Sequence, residues 1–378
     1  MYLEVTNLCV DLGEFKLDNI NLAIEKGEYL VLIGPTGSGK SVLLETITGF
    51  YSPESGEVKL NGKLLNNLPP EKRNISIVYQ DNILFPHMNV YENIAYGIKK
   101  DFNKEEIDQK VTDIAIKLKI DHLLHRNIAT LSGGEAQRTS LARALIVKPK
   151  IVLMDEPFSA LDISTQAKLT TLIKEVASSY NTTFLHVTHN FNDIWNLATK
   201  VGVMKGGKIH QWGTIEEVFS RPENSFVADF VGVQNIFKGK IIEINKDAAE
   251  IELNKNLVIT SSDKQCLKKI YPEDKTFDEI NFDSNVLIAI RPESIIFSNE
   301  KFQSSARNQL KGTIKGFIES GPNYWVKVDV NGFEFIGLLT KSSAEILELK
   351  KGNEIYLSFK SLNVNMIDEY HSFNKEIH

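Results

Sequence analysis

Gly34-Pro35-Thr36-Gly37-Ser38-Gly39-Lys40-Ser41 has the residue types and spacing of a loop that cradles phosphate. In such a loop backbone N–H groups point inward, and the helix that follows adds positive potential at its N-terminus. Gly37 and Gly39 let the backbone come close, Lys40 reaches the β- and γ-phosphates of a nucleoside triphosphate, and the Ser41 hydroxyl is suited to Mg²⁺. Further on, Ile151-Val152-Leu153-Met154 is an apolar run that ends in Asp155-Glu156. An acidic pair after a strand is often only a solvated strand end. Behind a phosphate loop it is the expected second half of a hydrolytic site, with Asp155 holding Mg²⁺ through water and Glu156 polarising the attacking water as general base. The third group is Leu131-Ser132-Gly133-Gly134-Glu135. Ser132 and Glu135 form a capping box for a helix through Gln137, Arg138, Leu141, Ala142, Arg143 and Leu145. The capped N-terminus and its two glycine amides also make an anion site. In a head-to-tail pair of chains, that site meets the γ-phosphate held by the partner's loop.

These groups need a scaffold that gathers strand ends. Tyr29-Leu30-Val31-Leu32-Ile33 is an apolar strand feeding the glycine loop, and Ser41 to Gly49 reads as the helix after it. Ile151–Met154 and Thr183–Val187 read as buried strands on either side of a helix from about Ser164 to Ser178, which predicts a parallel sheet with crossover helices. Glu57–Lys63 predicts a hairpin turning at Asn61-Gly62. The pattern changes after about Gly232. Short alternating segments follow at Lys238–Ile244, Glu250–Leu253 and Val286–Ile290, and Val326–Val330 meets Phe333–Ile336 across Asn331-Gly332. The expectation is an α/β nucleotide-binding domain over 1–232 and a β-rich domain over 233–378, the latter built from two related β modules.

The bulk properties fit that division. At 378 residues the chain suits two domains, and 42% hydrophobic with 24% charged residues is the composition of an ordinary globule. A net charge of −6 argues against nucleic acid as the main partner. Cys9 and Cys266 stand far apart and make neither a disulfide framework nor a zinc cluster. The start, Met1-Tyr2-Leu3-Glu4-Val5, lacks the basic and apolar regions of a signal peptide, and no run is long and apolar enough to span a membrane. Membrane association is therefore expected to come through a partner.

Taken in order, these motifs resemble the nucleotide-binding subunit of an ATP-binding cassette (ABC) transporter over about residues 1–232. The resemblance implies a P-loop NTPase cassette with a helical subdomain, ATP and Mg²⁺ as ligands, and a homodimer that closes around ATP. It also implies roles for residues outside the loop. Gln80, in Val78-Tyr79-Gln80-Asp81, matches the glutamine that links Mg²⁺ and water to the membrane partner. Ser159-Ala160-Leu161-Asp162 matches the dimer-contacting loop, and His189 matches the switch histidine that touches the γ-phosphate. The implied metal set is Ser41, Gln80 and Asp155, and the implied catalytic set is Glu156, His189 and Gln80. The family stacks an aromatic on adenine; Phe15 is the candidate, with Leu12 competing for the register. Ile83-Leu84-Phe85-Pro86-His87-Met88 resembles the edge of the groove that receives a helix of the membrane subunit.

The tail resembles molybdate-binding, molbindin-like modules of the TOBE/MOP, OB-like kind, used as regulatory domains. The matching segments are Ser304–Gly312, Leu338–Ala344 and Ile355–Lys360, and Ala289–Ser294 resembles a segment of many importer regulatory domains. Hydroxyl, amide and cationic donors suit tetrahedral oxyanions, and Ser305, Arg307, Thr340, Ser343 and Lys360 supply such donors. Leu362 stands where the family has a hydroxyl donor. The resemblance implies an import ATPase for molybdate or tungstate on the cytoplasmic face of the membrane. Its partners would be two integral-membrane permease subunits and an extracytoplasmic oxyanion-binding protein. The alternatives are the same ATPase with sulfate, ferric iron, sugar or polyamine as cargo, and a non-transport ABC ATPase. The chain has neither the long coiled-coil insertion of DNA-repair types nor the two cassettes of translation-factor types.

Overall fold

The computed structural model describes residues 1–159, 161–180, 182–245, 247–263, 266–267 and 285–368. The chain divides into two compact units, Met1–Ile215 and Glu216–His378.

The first unit opens with β1 (Leu3–Asp11) and β2 (Lys16–Ile24), whose apolar residues turn to one face. They pair antiparallel with each other, and β1 also pairs with β4 (Ser55–Leu60), which turns into β5 (Lys63–Leu64). The turn is Asn61-Gly62, both at positive φ, as a two-residue hairpin requires. Between β2 and β4 come β3 (Tyr29–Ile33), the glycine loop and α1 (Lys40–Thr48). All five residues of β3 are buried, because the strand is central in a six-stranded sheet. That sheet also contains β6 (Ile75–Val78), β7 (Ile151–Asp155), β8 (Thr183–Thr188), β9 (Lys200–Lys205) and β10 (Lys208–Thr214), in the order β10-β9-β3-β8-β7-β6. Its pairs are parallel except β9 with β10.

The long excursion between β6 and β7 is helical. It holds α2 (Val90–Ala95), α3 (Lys104–Lys117) and α4 (Gly133–Ile146), each opened by a capping box, from Asn89, Asn103 and Ser132 respectively. The helices α5 (Ile163–Tyr180) and α6 (Phe191–Leu197) follow β7 and β8.

The second unit takes in α7 (Ile215–Ser220) from Glu216 onward and α8 (Ser225–Phe230). The unit therefore starts earlier than the expected 232/233 boundary. The physical reason is Arg291, in the segment Ala289–Ser294, whose guanidinium donates to the Phe219 carbonyl through Nε at 3.1 Å and also through Nη2. Among the described residues, two five-stranded antiparallel sheets make up most of the rest. One joins β11 (Asn235–Asn245), β12 (Ala248–Asn254), β13 (Leu257–Ser261), β14 (Asn285–Ile290) and the last strand, Val364–Asp368. The other joins β15 (Ile296–Ser298), β16 (Asn308–Ser320), β17 (Asn323–Val330), β18 (Phe333–Thr340) and β19 (Glu354–Phe359). Two buried asparagines stitch the sheets together by imitating a strand neighbour. The Asn235 amide bonds the Ile290 and Ile336 carbonyls and accepts the Ile336 N–H, and Asn308 bonds both the N–H and carbonyl of Thr260. The shared core runs through Ile288, Ile290, Val326, Val328, Phe335 and Phe359.

Candidate active site

The glycine loop runs from the end of β3 into α1. Gly39, at φ 102°, turns the chain into the helix, and a Cβ there would overlap the Phe15 ring at 2.6 Å. Gly37 faces open space, so its backbone is free to approach a ligand. Lys40 is folded back into the loop: its ammonium donates to the Gly34 carbonyl at 2.9 Å and the Pro35 carbonyl at 3.1 Å, and lies 3.4 Å from Ser38 Oγ. Burial lowers its pKa, while Glu156 and Asp155 act to keep it charged. The Asp155 carboxyl is pushed up by burial and held back by a hydrogen bond from Ser41 and the charge of Lys40. The loop lysine, the hydroxyl and the first carboxylate are thus electrostatically one group.

Glu156 is placed by backbone constraint. It sits at φ 44°, a left-handed conformation uncommon for a residue with a side chain, and its N–H donates to the Val187 carbonyl at 2.9 Å. That bond aims the side chain across the strand ends to His189, whose Nδ1 lies 2.9 Å from Glu156 Oε2. Ser159 Oγ donates to the Glu156 carbonyl at 3.0 Å, which ties the following loop to the same residue. Asp162 accepts the Thr165 N–H at 3.0 Å and opens α5; Ala160 lies outside the described residues. A 400 Å³ cavity beside this pair is lined by Glu156, Ser159, Leu161, His189 and Asn190, with Gln166 and Asp193 in its wall.

Gln80 is exposed just beyond β6. The loop behind it is strained: Asn82 and Ile83 both have positive φ, 60° and 37°. Two residues of α4 hold it, a role that no local sequence pattern indicates. Ser140 Oγ donates to the Asn82 carbonyl at 3.1 Å, and Arg143 Nη2 donates to the Ile83 carbonyl at 2.9 Å while its guanidinium lies over the Phe85 ring. In the strip Ile83–Met88, Ile83, Pro86 and His87 are exposed, whereas Phe85 packs on Tyr96. At the start of the same α4, Ser132 and Glu135 complete the capping box, with Ser132 N–H donating to Glu135 Oε2 at 2.7 Å. Gly133 stays exposed; Gly134 is buried, and a Cβ on it would strike Thr165 at 2.5 Å.

Phe15 is partly buried against the core and lies on Gly39 of the loop; Leu12 is 39% exposed on the turn before it. The five expected oxyanion donors do not form one group within the chain. Arg307 and Lys360 flank the paired Asn308 and Phe359, with Ser305 exposed just upstream. Thr340 and Ser343 bond each other at 2.9 Å at the cap of the helix Lys341–Ile346, where β18 ends opposite Asn323. These two clusters occupy opposite ends of β16, because β16 pairs with β19 near Asn308 and with β17 near Ser320. Leu362 is 71% exposed beside the first cluster.

Comparison with known proteins gives the context for this geometry. The family described as ABC transporter matches residues 17–159, and the TOBE domain matches residues 304–366. The molybdate/tungstate import ATP-binding protein WtpC of Pyrococcus abyssi is 40% identical over 95% of this chain and 98% of its own length. The spermidine/putrescine import ATP-binding protein PotA of Clostridioides difficile is 37% identical over 90% of this chain and 91% of its own. Among solved structures, an ATP-binding cassette captured as a dimer after hydrolysis, bound to ADP and Pi, aligns with 56% of this chain and 98% of that one at a TM-score of 0.51 and 28% identity. With a phosphate loop, a second acidic strand end and a TOBE domain behind them, the chain belongs to the ATP-binding subunits of ABC transporters, a family of ATPases.

Proposed function

We propose that this chain energises import of molybdate or tungstate by hydrolysing ATP between two copies of itself. The hydrolytic assignment rests on one observation, the 2.9 Å contact between Glu156 and His189 at the strand ends next to Lys40 and Asp155. Glu156 takes the proton of the attacking water, His189 orients Glu156 and faces the γ-phosphate, and Lys40 with the loop amides binds the β- and γ-phosphates. Ser41, Gln80 and Asp155 offer hard oxygen donors suited to Mg²⁺, and the existing Ser41–Asp155 hydrogen bond already places two of them side by side. Bound there, Mg²⁺ would neutralise charge building on the phosphates. Phe15 is the adenine-stacking candidate that the position over Gly39 favours. Ser132, Gly133 and Gly134 complete the site of the partner chain.

The cassette works against two integral-membrane permease subunits, fed by an extracytoplasmic oxyanion-binding protein. The chain is accordingly peripheral, on the cytoplasmic face; among the described residues no helix is long and apolar enough to cross a membrane. The TOBE domain supports a regulatory reading. Because its donors lie in two clusters, an oxyanion site assembles between two chains, with Ser305, Arg307 and Lys360 from one and Thr340 and Ser343 from the other. A polyamine cargo is the second reading, supported by the similarity to PotA. ATPase assays of the reconstituted transporter separate them. Molybdate or tungstate presented by its binding protein is expected to stimulate turnover, with spermidine and sulfate inactive; stimulation by spermidine alone would transfer the assignment to polyamines. Free oxyanion added on the ATPase side is expected to inhibit, and Lys360→Ala to relieve that inhibition with basal turnover unchanged.

A further inference from the structure

Two loops border Glu156, and each runs into a helix. One passes through Ser159 and Asp162 into α5, and the other carries His189 into α6. A 400 Å³ cavity lies between them. Among the described residues, the groups that bridge it include the Glu156–His189 contact and a buried carboxylate in the cavity wall. That carboxylate is Asp193, 2% exposed on the first turn of α6. Its Oδ2 accepts from Thr188 Oγ1 at 2.8 Å and its Oδ1 accepts from Gln166 Nε2 of α5 at 3.0 Å. Thr188 Oγ1 in turn accepts the Asn190 N–H at 3.0 Å, on the far side of His189. His186 approaches Asp193 to 3.8 Å but makes no hydrogen bond through Nε2. A buried carboxylate with no cation hydrogen-bonded to it is expensive to maintain unless the groups it joins must stay joined.

We propose that Asp193 is a positioning residue for hydrolysis: by clasping Thr188 and Gln166 it fixes the His189 loop relative to the start of α5, and so keeps Glu156 in register with the attacking water. The proposal rests on Glu156 and His189 acting as assigned above. A residue acting through another in this way sets turnover and leaves substrate affinity nearly untouched.

The experiment uses the full-length protein with ATP and Mg²⁺, measuring kcat and KM together with a thermal unfolding midpoint. In Asp193→Asn the amide keeps the volume but faces Gln166 or Thr188 with a donor in place of an acceptor. The expected result is a kcat about 10- to 100-fold lower, with KM for ATP within about twofold. Gln166→Leu removes the other end of the clasp and is expected to give the same pattern, so a poorly folding Asp193→Asn does not leave the question open. The double variant Asp193→Asn/Gln166→Glu restores an amide–carboxylate bond with donor and acceptor exchanged, and is expected to recover at least part of kcat. A purely structural role moves the unfolding midpoint without that recovery. Normal kcat in either single variant, a change confined to KM, or no recovery in the double variant overturns the proposal. Glu156→Gln is measured alongside. Turnover retained there removes the general-base assignment itself, whereas turnover lost there with Asp193→Asn unaffected removes only the clasp.

Discussion

At the scale of single residues, the site is organised by backbone strain and burial. Glu156 is held at φ 44° by its N–H bond to Val187, which directs its carboxylate at His189. Glu156→Gln is expected to retain ATP binding and lose on the order of 10²–10⁴ in hydrolysis rate; near-normal steady-state turnover would remove it as the base. His186, on the same strand as Thr188, is fully buried between Tyr29 and Phe158, with Asp193 beyond it. Burial lowers its pKa from 6.5 to about 3, so the folded protein keeps the ring neutral where the unfolded chain takes up a proton. The unfolded state then binds more protons between those two values, and stability falls as pH drops from 6.5 towards 3. His186→Phe is expected to flatten that part of the stability–pH curve, as read from urea unfolding at a series of pH values. An unchanged slope would assign the acid sensitivity to other groups.

At the scale of elements, the helix behind the glycine loop is fixed at both ends. Its N-terminus grows out of the glycine loop, and its C-terminus is closed by Arg73, 3% exposed. The Arg73 guanidinium donates to the Thr46, Ile47, Asn66 and Leu68 carbonyls at 2.8–3.2 Å, satisfying acceptors that the end of a helix leaves open. Arg73→Met keeps the apolar stem and strips those donors. We expect a loss of about 1–3 kcal/mol from buried carbonyls left unpaired, measured as a lower urea midpoint, with ATP affinity reduced because α1 carries the loop. The elements themselves were largely legible. The apolar runs of β3, β7 and β8, the Asn-Gly hairpins and the capping box of α4 are local signals that tertiary packing only had to accept. Arg73 was not legible, because its partners are backbone carbonyls on two other segments and no spacing rule points to them. Gln166 and Asp193 were hidden for the same reason: each looks like an ordinary surface residue of its own helix.

At the scale of the assembly, we propose that Lys40 and Ser132 of one chain serve different composite sites. Ser132 caps a helix that reaches the Gln80 loop through Ser140 and Arg143, whereas Lys40 is folded into its own loop. Mixing Lys40→Ala chains with Ser132→Arg chains is therefore expected to give heterodimers with one intact site and more ATPase than either homodimer. A cysteine pair linking position 132 to the glycine loop distinguishes the arrangements directly: crosslinks only within one chain would sink the trans assignment. The tail is proposed to work at the same scale: its two clusters of candidate donors lie at opposite ends of β16, so a shared oxyanion site would draw on two chains.

The chemistry of the cassette is written in short stretches of chain. Phosphate loop, acidic strand end and capping box each depend on residues adjacent in the chain, and their order names the family. The β-rich character of the tail is written the same way, because alternation and Asn-Gly turns are local. What depends on distant residues meeting came from the folded arrangement. It placed α7 with the tail through Arg291, and it joined the two sheets through Asn235 and Asn308. It divided the five residues expected to be oxyanion donors into two clusters, since strand pairing and not proximity in sequence sets which ends lie together. It also showed Asp193 between Thr188 and Gln166, a contact between helices whose separation along the chain no local pattern can encode.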